Sequence, residues 1–248
     1  ALLSITSLSL SLWSVVSLAI PMTAPPVPPP PLVLLFLCIQ LPVLSLAMLF
    51  SPGISEVHVM RQTPRKNKLV RRPKDVTRFQ SYLVARVVTV IVSVYVVGWF
   101  ASSSLPLDTD HFIGIPKNTW LNRITSVRDV MEDGVFDKSS LGHFCHVQDV
   151  MSIQFLLAII TQSITLMHRG QSITQISSPL SHPEYYFALV FCLSLHTLVL
   201  FLRALTREGG LDLYYHMDMQ VWIAIGAFPI IGLIVGFFVN SDDVFSYQ

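Results

Sequence analysis

The sequence predicts an all-α integral membrane protein, a bundle of six transmembrane helices. Three observations carry that prediction. Charged residues make up only 12% of the 248 residues and hydrophobic ones 52%, whereas a soluble domain carries about 25% charge. The mean hydropathy is +0.60. The apolar residues are gathered into runs of about twenty, enough for a helix rising 1.5 Å per residue to cross about 30 Å of hydrocarbon. Runs this continuous exclude the short alternating strands of a membrane barrel, the other closed structure that hides its backbone from lipid.

Six spans are expected, at 1–20, 32–50, 79–101, 150–167, 185–205 and 219–239. They divide the chain into a transmembrane hairpin (1–50), a basic loop (51–78) and a four-span C-terminal bundle (79–248) with an outer loop at 102–149. The opening ALLSIT has neither Met nor a basic n-region. Residue 1 is therefore expected to be the edge of a longer protein, already inside a membrane helix.

In the first span Ser4, Ser7, Ser11, Ser14 and Ser17 recur at spacings of 3, 4, 3 and 3, which aligns their hydroxyls on one helix face. Small residues in such a row let helices pack closely. The same row, through Ser7, Ser11 and Ser14, is also a candidate ladder of neutral oxygens along an ion path. The second span follows a proline-rich turn and contains Pro42, flanked by Gln40 and Ser45. Proline frees a backbone carbonyl. A freed carbonyl beside an amide and a hydroxyl suits a hard cation, although a plain proline kink has the same sequence signature.

The loop 51–78 sets the expected topology. Eight of the sixteen Lys and Arg lie between Arg61 and Arg78. Carrying each through the bilayer centre costs roughly 2.5–3.5 kcal/mol, so this loop is expected in the cytosol. Alternation then places 21–31, 102–149 and 206–218 outside, and 168–184 with the Asp242–Asp243 tail inside.

Polar residues within the later spans are few. Arg86, near the start of the third span, is expected to snorkel toward the cytosolic face, and Arg203 to reach the outer interface. Gln154 and Thr161 share a face of the fourth span and Gln154 joins the ion-path candidates, whereas Gln162 is expected to point elsewhere. His196 sits mid-span with no partner close in sequence; an intramembrane His is either functional or a hydrogen-bonded core residue. In the outer segment, His143, Cys145 and His146 form a weak metal motif without a second ligand pair. Its acidic residues, Asp149 among them, are expected to face solvent.

Phosphate-binding glycine loops, G-x-S-x-G and H-E-x-x-H are all missing from the sequence. Asp137-Lys138-Ser139-Ser140 imitates a phosphorylation motif but has no glycine and lies in the outer segment. The chain itself is expected to bind no cofactor, to perform no covalent chemistry and to contact no nucleic acid.

The hairpin, its Leu-rich second helix and the exit through Pro52, Met60, Pro64 and Arg65 resemble the fifth-to-sixth span region of P-type ATPases. In that family the sixth helix is followed by P-x-x-x-x-x-M-x-x-x-P-R. Six spans with a long outer loop are similar to the family's fifth-to-tenth helix arrangement. The runs at 41–46 and 168–180 look most like a divergent endoplasmic-reticulum branch linked to magnesium uptake. The resemblance implies a multi-pass protein of the endoplasmic reticulum rather than the plasma membrane, with the lipid bilayer, upstream cytosolic domains and a possible membrane subunit as partners. It implies ATP and Mg2+ as cofactors of the whole protein and ATP-driven ion translocation as its activity. The family's sixth-helix ion positions fall near Leu37, Gln40 and Leu41. Neither of the first two spans contains Asp or Glu. The ion must then keep much of its water, as suits magnesium, or borrow charge from other helices; otherwise the protein is a non-transporting membrane scaffold or regulatory subunit.

Overall fold

A computed structural model describes residues 2–19, 28–50, 73–103, 138–167, 183–206, 210–215 and 217–245. Every described element is a helix. We number them α1 (Leu2–Ala19), α2 (30–50), α3 (Pro73–Ser103), α4 (Lys138–Met167), α5 (Pro183–Leu205), the short α6 (Gly210–Tyr215) and α7 (Met219–Phe245). Three of them begin on a proline, at Pro30, Pro73 and Pro183. That is a favoured first helical position, since the missing N–H would have had no partner and φ is already helical. In α5, Glu184 in the first turn and Arg203 in the last also complement the helix dipole.

Among the described residues five helices are long and apolar enough to cross a membrane, over Pro30–Met48, Gln80–Ala101, Cys145–Leu166, Pro183–Leu205 and Met219–Phe238. The expected first span falls on α1, whose described part Leu2–Ser17 is a shorter apolar helix. Five of the six expected spans thus coincide with membrane-length helices. Helix α4 starts at Lys138, not near 150, so the end of the expected outer segment is helical.

Side-chain register fixes the helix directions. As α3 advances from Arg86 to Gly98, its neighbours on α4 retreat from Gln162 and Thr165 to Met151, so the two are antiparallel. Helix α5 is also antiparallel to α4, through Asp149 with Arg203, Ser152 with His196 and Ser163 with Tyr185. Gly232 and Gly236 of α7 meet Thr161 and Thr165, which makes α7 parallel to α4. Trp13 and Phe36 both stack on Phe155, six residues from the end of α1 and from the start of α2, as in an antiparallel pair. From α3 to α7 the long helices therefore alternate in direction along the chain, as successive membrane crossings require.

Helix α4 is the axis of the bundle. Of its membrane-length window 78% is buried, against 28–39% for the other four, and it packs on every other helix. Its position explains its composition. A helix surrounded by protein can carry Ser152, Gln154, Thr161, Gln162, Ser163 and Thr165, all buried, because neighbouring helices shield these groups from lipid. The outward faces of α5 and α7 carry Phe187, Phe191, Phe201, Trp222, Ile230 and Phe238 instead. The Gly232/Gly236 pair brings α7 close: a Cβ at Gly236 would lie 2.6 Å from Thr165 Cγ2.

Candidate functional site

The second helix changes its winding at the place where the sequence raised an ion path. Between Pro30–Leu35 and Leu41–Phe50 it runs as a π-helical turn, Phe36–Gln40, closed by Leu41 N–H on the Phe36 carbonyl. Pro42 supplies the cause: its ring crowds the carbonyl one turn earlier and it has no N–H to offer, and an added residue in that turn relieves the crowding. Pro42 and Cys38 lie on the exposed side of the helix, Gln40 on the buried side and Ser45 between them.

Gln40 is 1% exposed. Its Nε2 lies 3.4 Å from the Cys192 carbonyl and 3.3 Å from His196 Nδ1. A carbonyl only accepts, so the amide nitrogen must face Cys192, and His196 Nδ1 is then the acceptor. The ring proton sits on Nε2, 3.2 Å from Ser152 Oγ, and Ser152 donates to the Asp149 carbonyl at 2.7 Å. Phe36 covers the imidazole, ring centroids 5.3 Å apart. A directed chain of hydrogen bonds thus joins α2, α5 and α4. Gln40 Oε1 is left buried without a partner, an acceptor open to a cation or a hydrogen-bond donor.

Beyond this chain lies a carboxylate. Asp149 is fully buried, not facing solvent; its Oδ1 lies 3.0 Å from Arg203 Nε and its Oδ2 3.4 Å from the Tyr214 hydroxyl. Arg203, in the last turn of α5 and partly exposed, is held against α4 by this pair. Burial makes a lone carboxylate costly, and the guanidinium compensates it. Tyr214 also stacks edge-on with His146, centroids 4.5 Å apart, which clamps α6 to α4.

A second polar layer lies about 15 Å along α4, ten residues from Ser152. Arg86, expected to snorkel, is 1% exposed. Its Nη1 donates to Gln162 Oε1 and Thr165 Oγ1 at 2.6 Å each, its Nη2 lies 3.4 Å from the Gly236 carbonyl, and its guanidinium lies over the Tyr82 ring. Gln162 points at α3, where those oxygens hold the charge.

The remaining candidates are not brought to Gln40. Ser7 and Ser14 return their hydroxyls to the Leu3 and Leu10 carbonyls, and Ser11 is exposed. Along this row Ser4 and Ser11 are exposed and Ser7 and Ser14 half-buried, Ser17 is buried beside the Tyr95 hydroxyl at 3.3 Å, and Ser9, outside the row, is also buried. Gln154 stands two residues, about 200°, around α4 from Ser152. Cys145 and His146 lie at the start of the α4 span; the His143 side chain, Pro52, Met60, Pro64 and Arg65 lie outside the described residues. Among the described residues no three His, Cys, Asp or Glu side chains gather as a metal site. Reading the sequence missed the partners of His196 and the Asp149–Arg203 pair, both made between distant segments. The G-x-x-x-G spacing at Gly232 and Gly236 was a signal available for the α7 contact.

Known proteins supply no template. No family model, curated protein or solved structure matches the chain.

Proposed function

We propose that this multi-pass chain is the C-terminal membrane portion of a P-type-ATPase-like cation transporter, with magnesium as its cargo, in the endoplasmic-reticulum membrane. One observation carries the reading. Within the segment of the family resemblance, the π-helical turn before Pro42 holds a buried amide whose Oε1 has no protein partner. A neutral oxygen in that setting suits a cation that keeps part of its hydration shell better than a bare divalent ion. Upstream cytosolic domains, by the same resemblance, would use ATP and Mg2+, and a further membrane subunit would be a partner.

Flux into membrane vesicles tests this with the longest form of the protein that contains the chain. Gln40→Leu and Ser45→Leu are expected to reduce Mg2+ flux, Gln40→Leu more strongly. Full flux in both variants would remove these residues from the path.

A second reading, a non-transporting scaffold or regulatory subunit, has its own support. No acid lies in 1–50, and Asp149 is engaged by Arg203. Absence of any cation flux in the parent protein would favour it.

A further inference from the structure

Gln154 is the fully buried side chain of α4 whose amide has no partner on either atom: Oε1 and Nε2 both lack a hydrogen bond. Its surroundings follow from helix geometry. Thr161 and Thr165 mark the side of α4 that meets α7, through Gly232 and Gly236. At about 100° per residue, seven residues back from Thr161 and eleven back from Thr165, Gln154 falls between those two directions. It therefore shares the α7-facing side. Because the helices are parallel, stepping back seven residues from Gly232 brings Ile225 level with Gln154. Ile225 is itself buried. Four residues later α7 contains Pro229, which has no N–H to donate to the Ile225 carbonyl.

Three polar groups thus share one level of the α4–α7 contact: an amide donor, an amide acceptor and a carbonyl without its helical donor. The combination selects the ligand. A bare cation would suit the two oxygens but would meet the positive end of the Nε2–H dipole, and an anion would be repelled by the oxygens. Water fits all three, accepting from Nε2 while donating to Oε1 and to the Ile225 carbonyl, the usual three bonds of a buried water. We propose that Gln154 and the Ile225 carbonyl, left without its helical donor by Pro229, form a binding site for one buried water molecule between α4 and α7. The site stands apart from the Gln40 chain and does not depend on transport, and it removes Gln154 from the set of direct cation ligands.

The test uses the full 248-residue chain in lipid bilayers with 15N-labelled glutamine, read by solid-state NMR transfer from water protons to side-chain amides. A water cross-peak is expected at the Gln154 amide, identified by its loss in Gln154→Met. Pro229→Ala gives the Ile225 carbonyl an N–H partner, and the cross-peak is then expected to disappear. Gln154→Met is expected to lower the thermal midpoint, since the water loses two of its three partners. No cross-peak in the parent chain, or a higher midpoint in Gln154→Met, overturns the proposal. So does a Gln154 amide resonance that moves with added Mg2+ or K+ while its water cross-peak vanishes. A cross-peak unchanged by Pro229→Ala overturns the part assigned to the carbonyl.

Discussion

At the scale of single residues, the bundle depends on polar groups that complete one another across helices. His196 accepts from Gln40 and donates to Ser152. Replacing it by Leu removes one partner from each end, although Gln40 Nε2 keeps the Cys192 carbonyl and Ser152 the Asp149 carbonyl. His196→Leu should therefore lower stability against denaturant in micelles by about 1–3 kcal/mol, more than His196→Gln, which keeps a donor and an acceptor. Arg86 has a stricter requirement. Its planar fork reaches Gln162 and Thr165 together with the Gly236 carbonyl, and a lysine offers a single point of attachment. Arg86→Lys should lose part of the stability and Arg86→Met roughly 3–5 kcal/mol, as when one partner is removed from a buried charged network. Equal stability of the Lys variant and the parent would show that the fork geometry is immaterial. The chemical identity of these residues was legible in the sequence. Their partners were not, because a hydrogen bond spanning 76 or 156 residues leaves no local pattern. The snorkelling expected of Arg86 failed for a physical reason: the central helix offered it oxygens within reach.

At the scale of elements, two helices carry features with measurable consequences. Helix α7 approaches α4 because Gly232 and Gly236 lack side chains. Gly236→Leu should force the pair apart and weaken the contact of Arg86 with the Gly236 carbonyl, lowering the thermal midpoint well beyond the effect of Gly226→Leu. Gly226 is the control because a Cβ there meets nothing within 4 Å. In α2, Pro42→Ala supplies an N–H and favours return of the π-helical turn to α-helical register. Higher thermal stability with reduced cation flux is the expected pairing for a strained functional turn. Unchanged flux would reduce the turn to an ordinary kink. The proline was legible as the place of irregular winding, since its missing N–H is a property of the residue alone. The serine row was legible as a stripe, but not which of its members would be enclosed: Ser7 and Ser14 bond back to their own backbone, whereas Ser17 meets Tyr95 of α3.

At the scale of the whole molecule, the alternation of helix directions agrees with a chain threaded repeatedly through a bilayer. Its membrane class was readable from composition and run length. The hub role of α4 left a trace in its span, the least apolar of the five, but which neighbours enclose its polar residues is decided by packing between distant segments. The expected topology makes a direct prediction. With the native Cys38, Cys145 and Cys192 replaced by Ser or Ala, a cysteine placed at Lys66 or Arg71 should react with an impermeant maleimide from the cytosolic side of sealed vesicles. Reaction at both positions only from the opposite side would invert the assignment drawn from the basic loop.

The late position of α4 also bears on how the protein is made. Arg86 enters the membrane before its partners on α4 and α7 exist: Gln162 is 76 residues downstream and Gly236 150 residues downstream. At a synthesis rate of about 5–20 residues per second the guanidinium waits roughly 4–15 s for the first and about 8–30 s for the second. During that interval the guanidinium has not met its α4 and α7 oxygens, and the faces of α1, α2 and α3 that pack on the hub await a helix not yet translated. The insertion machinery has to shelter the early helices until α4 emerges, so biogenesis is most exposed to error between α3 and α4. Chains arrested after residue 103 should be degraded faster than chains arrested after residue 167, which pulse-chase measurement of the two truncations would reveal.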